Sequence, residues 1–246
     1  LGMLIPPSVV FIVYGILTEQ SIGKLFISGI IPGLLVAALF CLVIAVQCRL
    51  NPALAPAAVR VPWRERLRSL GGVLETLLLF VFVMGGMFAG FFPPTEGAAV
   101  GAAGSVVIAV AGRNCSRALL WQAAQETVRT SCMVLVIVAG ATMFGHFLAV
   151  TGLPTAFASW LAGLPVPPWV VILMIIGFYL FAGCFIDALA LILLTIPIFY
   201  PVICKLGYDP IWFGVMIVLV TQMGVITPPV GVNAYVVSGI ERSIPL

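Results

Sequence analysis

Few side chains in this sequence of 246 residues can do chemistry. Asp187 lies deep within the apolar stretch Trp169–Val202. Placing an acid there costs about 2.5–3.5 kcal/mol on insertion scales, and such residues usually mark an ion or proton pathway. The competing reading is a cap on a hairpin helix. Glu96 follows Pro93-Pro94-Thr95, near a helix N-terminus where an acid is favourable, and is read as a cap. Glu75, expected in the first turn of its span, is read the same way. His146, within an apolar segment, is expected to be a satisfied core histidine rather than a proton relay. The six cysteines (Cys41, Cys48, Cys115, Cys132, Cys184, Cys204) form no C-x-x-C pair. At least four lie in apolar runs, where cysteine behaves as a small hydrophobe. Disulfides and metal binding are the lesser readings.

Enzymes fare poorly against this inventory. An intramembrane aspartyl protease needs two deep carboxylates, and there is one. No Gly-x-Ser-x-Gly turn offers a nucleophile. A His-Glu-x-x-His metal site cannot be built from one histidine. A passive channel lacks its ring of polar pore residues. A purely structural membrane subunit leaves a second feature unexplained.

That feature is a repeat. Gly2-Met3-Leu4-Ile5-Pro6-Pro7 returns as Gly224-Val225-Ile226-Thr227-Pro228-Pro229, 222 residues on. A double proline removes two N–H donors and breaks a helix. The carbonyls of Gly2 and Met3, and of Gly224 and Val225, lose their helical partners. In lipid each orphan would cost several kcal/mol. A small cation is the natural candidate to satisfy them. The reading as mere structural kinks weakens because the breaks occur in corresponding positions.

The elements that must hold these residues follow from composition. The chain is 63% hydrophobic and 8% charged, against roughly a quarter charged in soluble domains. Its solvent is lipid, and the reading is an all-α integral membrane protein. The net charge of +3 sits in loops, with no basic face for a nucleic acid. A span needs about 20 apolar residues. Ile22–Val46, Leu70–Phe92, Gly97–Gly112 and Thr130–Val150 qualify, the third short and rich in small residues that suit close packing. The tryptophans Trp63, Trp121, Trp160, Trp169 and Trp212 fall in loops or near segment ends, as an interfacial belt requires. Five arginines between Arg49 and Arg68, and three between Arg113 and Arg129, place both loops in the cytoplasm.

Trp169–Val202 is too long for one span and too short for two. A re-entrant hairpin with its tip at Gly183–Asp187 fits, with one long tilted helix as the alternative. Irregular backbone at that depth requires a cavity or protein around it. Counting through such a hairpin makes the two broken helices antiparallel, the mark of inverted repeats with ions and substrate at the midplane. The expected organisation is then threefold. Residues 1–48 end a first repeat, and 49–69 form an Arg-rich cytoplasmic loop. Residues 70–246 form a second repeat: two scaffold spans, an interfacial arm helix 119–128, a span 130–150, the hairpin 169–202 and a broken helix 211–240.

At these residues the chain resembles the large membrane subunit of tripartite ATP-independent periplasmic (TRAP) transporters, the DctM type. The matching stretches include Gly2-Met3-Leu4-Ile5-Pro6-Pro7-Ser8, Val13-Tyr14-Gly15, Thr18-Glu19-Gln20-Ser21 and Gly85-Gly86-Met87-Phe88-Ala89-Gly90. Further on come Pro94-Thr95-Glu96, Glu126-Thr127-Val128-Arg129-Thr130, Gly183-Cys184-Phe185-Ile186-Asp187 and Ile226-Thr227-Pro228-Pro229-Val230-Gly231-Val232-Asn233. The resemblance implies secondary transport of organic acids, of the C4-dicarboxylate or sialic-acid class, across the bacterial inner membrane. It implies sodium as coupling ion, no other cofactor, and an elevator-type fold. The implied partners are a small membrane subunit of DctQ type, a periplasmic substrate-binding protein and the lipid bilayer. A carrier of the same inverted-repeat superfamily working without a binding protein is the runner-up.

Carried over residue by residue, the resemblance implies one sodium near Gly2, Ile5 and Pro7. It implies another near Gly183, Asp187, Gly224, Thr227 and Pro229. Substrate would lie between, near Ser8, Asp187, Pro228, Val230 and Asn233, at the positive ends of half-helices starting near Ser8 and Val230. The family is longer at both ends, so a first hairpin and a last span are expected outside these residues. Ala188 stands where proline often follows the Asp. Val220 and Gln222 stand where Asn and an acid are common.

Overall fold

The computed structural model describes residues 2–52, 62–112, 115–163 and 165–227. Within them the chain is helical, in nine helices with no strand: α1 Val9–Thr18, α2 Ile22–Leu50, α3 Trp63–Phe88, α4 Pro94–Ala111, α5 Arg117–Thr151, α6 Leu153–Ala162, α7 Pro168–Gly183, α8 Ala188–Lys205 and α9 Pro210–Ile226. Five of these, α2, α3, α4, α5 and α8, are long and apolar enough to cross a membrane. The protein is an all-α membrane protein.

The helix ends follow local rules. Ser8, Asp187 and Asp209 cap α1, α8 and α9, their side chains accepting from the N–H groups of Phe11, Leu189 and Trp212. Pro94, Pro168 and Pro210 occupy first-turn positions, where a missing N–H costs nothing. Gly152, at φ 65°, separates α5 from α6 with a left-handed turn that a side chain would strain.

The chain divides into two compact units. The first comprises Leu1–Pro32 and Ser131–Leu246. Its core centres on α8, which packs against α1, α6, α7 and α9. Leu191, Ile192, Leu193 and Ile203 of α8 are essentially inaccessible. The second unit, Gly33–Thr130, contains α3 packed on α4. Small residues allow that approach. A Cβ on Gly97 would lie 2.9 Å from Met87 Sδ.

Several expected boundaries differ. Residues 119–128 and 130–150 belong to one continuous helix, α5, although the two units divide at Thr130 and Ser131. Nothing at Arg129-Thr130 breaks a helix, since neither glycine nor proline lies there. The Arg-rich loop is shorter than 49–69, because α2 continues to Leu50 and α3 starts at Trp63. Glu75 therefore lies well inside α3, and the acid in its first turn is Glu65. Periodicity could not see the start of α3, where arginines and Glu65 continue the helix beyond its apolar stretch. The short helix α6 was also not expected.

Candidate functional site

The two repeat segments and the hairpin tip all lie in the first unit. Around the first break, residues Gly2–Pro7 are non-helical, and Pro6–Pro7 is a cis peptide. Ser8 closes this segment. Its hydroxyl donates to the Met3 carbonyl at 2.5 Å and accepts from Phe11 N–H at 3.3 Å. The segment lies against α2 at Gly29, where a Cβ would come within 2.6 Å of the Leu4 carbonyl oxygen. Gly2 and Pro7 are exposed and Ile5 is half-buried.

The stretch 169–202 is a helical hairpin, not one long helix. Cys184–Asp187 form the turn between α7 and α8. Tyr179 and Thr195 share a hydrogen bond of 2.5 Å, and Phe178 stacks edge-on with Phe199. Those pairs step away from the turn on both arms, so the arms are antiparallel. Asp187 is exposed and caps α8, its Oδ2 accepting from Leu189 N–H at 3.0 Å. The capping role weighed against an ion pathway is thus realised, and the other carboxylate oxygen has no partner among the described residues.

At the second break α9 ends at Ile226, and Thr227 turns to an extended conformation, ψ 137°. Thr227 N–H donates to the Gly224 carbonyl at 2.9 Å, and its hydroxyl to the Met223 carbonyl at 2.6 Å. Pro228, Pro229, Val230 and Asn233 lie outside the described residues.

The tertiary structure brings these parts together. A Cβ on Gly224 would lie 2.8 Å from Gly183 Cα, and one on Gly183 would lie 3.2 Å from the Thr221 carbonyl oxygen. The hairpin tip and α9 therefore meet backbone to backbone, a contact only glycine permits. On another side of α9, Gln222 Nε2 approaches Met3 Sδ at 2.7 Å. Tyr14, further along α1, donates to the Pro210 carbonyl at 2.5 Å and covers Gly214. As α1 and its lead-in are followed backwards from Tyr14 to Met3, the partners advance along α9 from Pro210 to Gln222. The two break-bearing segments run antiparallel, as the span count through the hairpin predicted.

Two expectations about single groups change. The Met3 and Gly224 carbonyls, expected to be orphaned by the prolines, find donors in the Ser8 hydroxyl and Thr227 N–H. No described residue donates to the Gly2 or Val225 carbonyl. His146 is not a core residue. It is exposed on α5, while Ala141 and Leu148 occupy the buried face. Glu96 stands in the first turn of α4, where the helix dipole favours an acid, but α4 has no side-chain cap hydrogen bond. All six cysteines are free, and Cys184 alone is buried, its thiol against the Leu180 carbonyl.

Gln222, noted in the sequence only as a departure from the family pattern, links the two breaks. Reasoning from sequence missed Thr221, which is wholly buried with an unpartnered hydroxyl. Thr221 left no signal in the sequence, because a threonine in a helix ordinarily bonds its own backbone.

The family described as "Tripartite ATP-independent periplasmic transporter, DctM component" matches residues 1–245. The C4-dicarboxylate TRAP transporter large permease protein DctM of Pseudomonas aeruginosa is 40% identical over 98% of this chain and 56% of its own length. The sialic acid TRAP transporter large permease protein SiaM of Vibrio cholerae is 38% identical over 97% of this chain and 56% of its own. The isethionate TRAP transporter permease protein DctMQ of Oleidesulfovibrio alaskensis is 34% identical over 99% of this chain and 38% of its own. The chain thus spans about half the length, or less, of these curated relatives.

Proposed function

The chain belongs to the DctM family of tripartite ATP-independent periplasmic transporters, and from that premise we propose that it carries ion and substrate sites of a sodium-coupled carrier of organic acids. It is a multi-pass protein of the bacterial inner membrane. Its matched relatives are transporter permeases, and we assign it carriage rather than catalysis. The names of relatives include C4-dicarboxylate and sialic acid as substrates, which supports an organic acid here.

One observation carries the reading. Two antiparallel helix breaks and a hairpin tip converge within one unit, through Met3–Gln222 and Gly183–Gly224. Irregular backbone of that kind in a membrane is the means by which carriers hold ions and anions between half-helices. One sodium would sit near Gly2, Ile5 and Pro7, whose carbonyl surroundings are incompletely paired. The other would sit near Gly183, Asp187, Gly224, Thr227 and Pro229. Substrate carboxylates would lie between, toward Ser8, Asp187, Pro228, Val230 and Asn233. Ser8 would contribute through the N-terminus of α1, since its hydroxyl is already engaged. Moving the first unit as a body would alternate access, as in an elevator. A small membrane subunit of DctQ type and a periplasmic binding protein complete the transporter. The fused name DctMQ of one relative supports the former.

Uptake into proteoliposomes tests this. The vesicles would hold the full-length permease and its small subunit, with substrate-loaded binding protein, a sodium gradient and no ATP. Uptake that needs both sodium and the binding protein is expected. Uptake without the binding protein would replace this reading with a simpler secondary carrier. Uptake indifferent to sodium would overturn the coupling.

A further inference from the structure

The Thr221 hydroxyl has no assigned part in the site as described so far. It lies one helical turn before Gly224, on the part of α9 that meets the hairpin tip. Its side chain is 0% exposed. Among the described residues it carries the one buried side-chain oxygen without a hydrogen-bond partner. Other helical threonines here solve that problem locally. Thr18, Thr127 and Thr195 each donate to the carbonyl four residues back, at 2.7 Å. Thr221 has the same option through Ile217 and does not use it.

The neighbour matters as much. The Thr221 backbone lies against Gly183, the last residue of α7, whose carbonyl receives no backbone N–H among the described residues. Helix ends concentrate partial negative charge on such carbonyls. The Gly183 carbonyl carbon lies within 2.9 Å of where a Gly224 Cβ would stand, so this oxygen-bearing group is held against α9. A buried, unpartnered hydroxyl on Thr221 and a terminal carbonyl on Gly183 thus belong to two residues whose backbones touch. Neutral oxygen donors of this kind suit a hard cation.

We propose that the Thr221 hydroxyl is a further ligand of a coupling cation bound where the α7–α8 turn meets α9. The proposal rests on the sodium-coupled reading above. It adds to that reading a residue that sets sodium affinity from within α9, away from the break at Thr227. The ligand atom is the hydroxyl oxygen, which valine lacks and serine keeps.

The experiment compares wild type, T221V and T221S in the full-length permease with its partners, in uptake and in thermal unfolding. Sodium chloride is varied against choline chloride at constant ionic strength. T221V is expected to raise half-saturating sodium on the order of ten-fold, the scale of one lost oxygen contact. Its maximal rate at saturating sodium should stay near wild type. T221S should restore wild-type sodium affinity. In choline alone T221V should unfold at or above the wild-type temperature, because valine removes an unpaired hydroxyl without changing the shape. A valine variant with wild-type half-saturating sodium would overturn the proposal. So would loss of maximal rate without a sodium shift, which marks a packing role. Failure of the underlying reading shows separately, as wild-type uptake that ignores sodium.

Discussion

The two units are both built from apolar helices, yet α8 at the centre of the first buries far more of that surface than α3 and α4 of the second. In the most apolar stretch of α8 half the residues are buried, against 11% in α3 and 6% in α4. Met84 is the one large side chain buried among the described residues of Gly33–Thr130. Lipid is as apolar as leucine, so hydrophobicity alone does not drive helices together in a membrane. What differs is shape and polar connection. The first unit is tied across elements by Tyr14 to the Pro210 carbonyl, Tyr200 to the Thr18 carbonyl, Tyr179 to Thr195, and Lys205 to Ser159. In the second, the hydrogen bonds of Ser105, Gln122 and Thr127 stay within one helix. A unit that must hold broken helices needs such ties. A pair of spans whose apolar surface stays exposed does not.

Substitutions can break or sharpen this contrast. The largest effect is expected for Gly224→Ala, whose Cβ would press on the Gly183 backbone at 2.8 Å. Overpacking of that kind costs about 1–3 kcal/mol or more, and transport should be lost while the protein melts several degrees lower. A variant that transports and melts like wild type would mean that the tip does not rest on α9. Asp187→Ala comes next, with uptake abolished or severely weakened and the α8 cap lost, about 1 kcal/mol. Asp187→Asn keeps an acceptor for Leu189 N–H. If it transports normally, the carboxylate is only a cap, and no ion pathway runs through it.

Tyr14→Phe should be milder, removing the bond between α1 and α9 at a cost of about 0.5–1.5 kcal/mol. The loss should appear in thermal unfolding, with sodium affinity little changed. An unaltered melt would show that this tie contributes nothing. The smallest effect is expected for Gly85→Ala in α3, where nothing lies within 4 Å of an added Cβ. Alanine is the better helix former by up to about 1 kcal/mol, so stability should hold or rise. A strong loss of transport there would show that the second unit's surface is more than a lipid-facing wall.

Much of this was legible in the residues. The helix breaks announced themselves through paired prolines, since Pro6-Pro7 and Pro228-Pro229 cannot continue a helix whatever surrounds them. The hairpin at Gly183–Asp187 was readable from length. An apolar run that fits neither one span nor two must turn. Composition fixed lipid as the solvent, and counting the spans through the hairpin made the two broken segments antiparallel. These are local or arithmetical constraints, and they survive in any fold.

Other features depend on who the neighbours are. That His146 is exposed depends on which face of α5 packs. That the Met3 carbonyl needs no ion depends on the Ser8 hydroxyl curling back over five residues. The meeting of Gly183 with Gly224, and of Met3 with Gln222, joins residues 41 and 219 positions apart. No periodicity records such contacts. Thr221 is the clearest instance, because its identity permits self-satisfaction within the helix. Only the tertiary packing leaves its hydroxyl buried and unpaired, and only that packing sets its backbone against the end of α7.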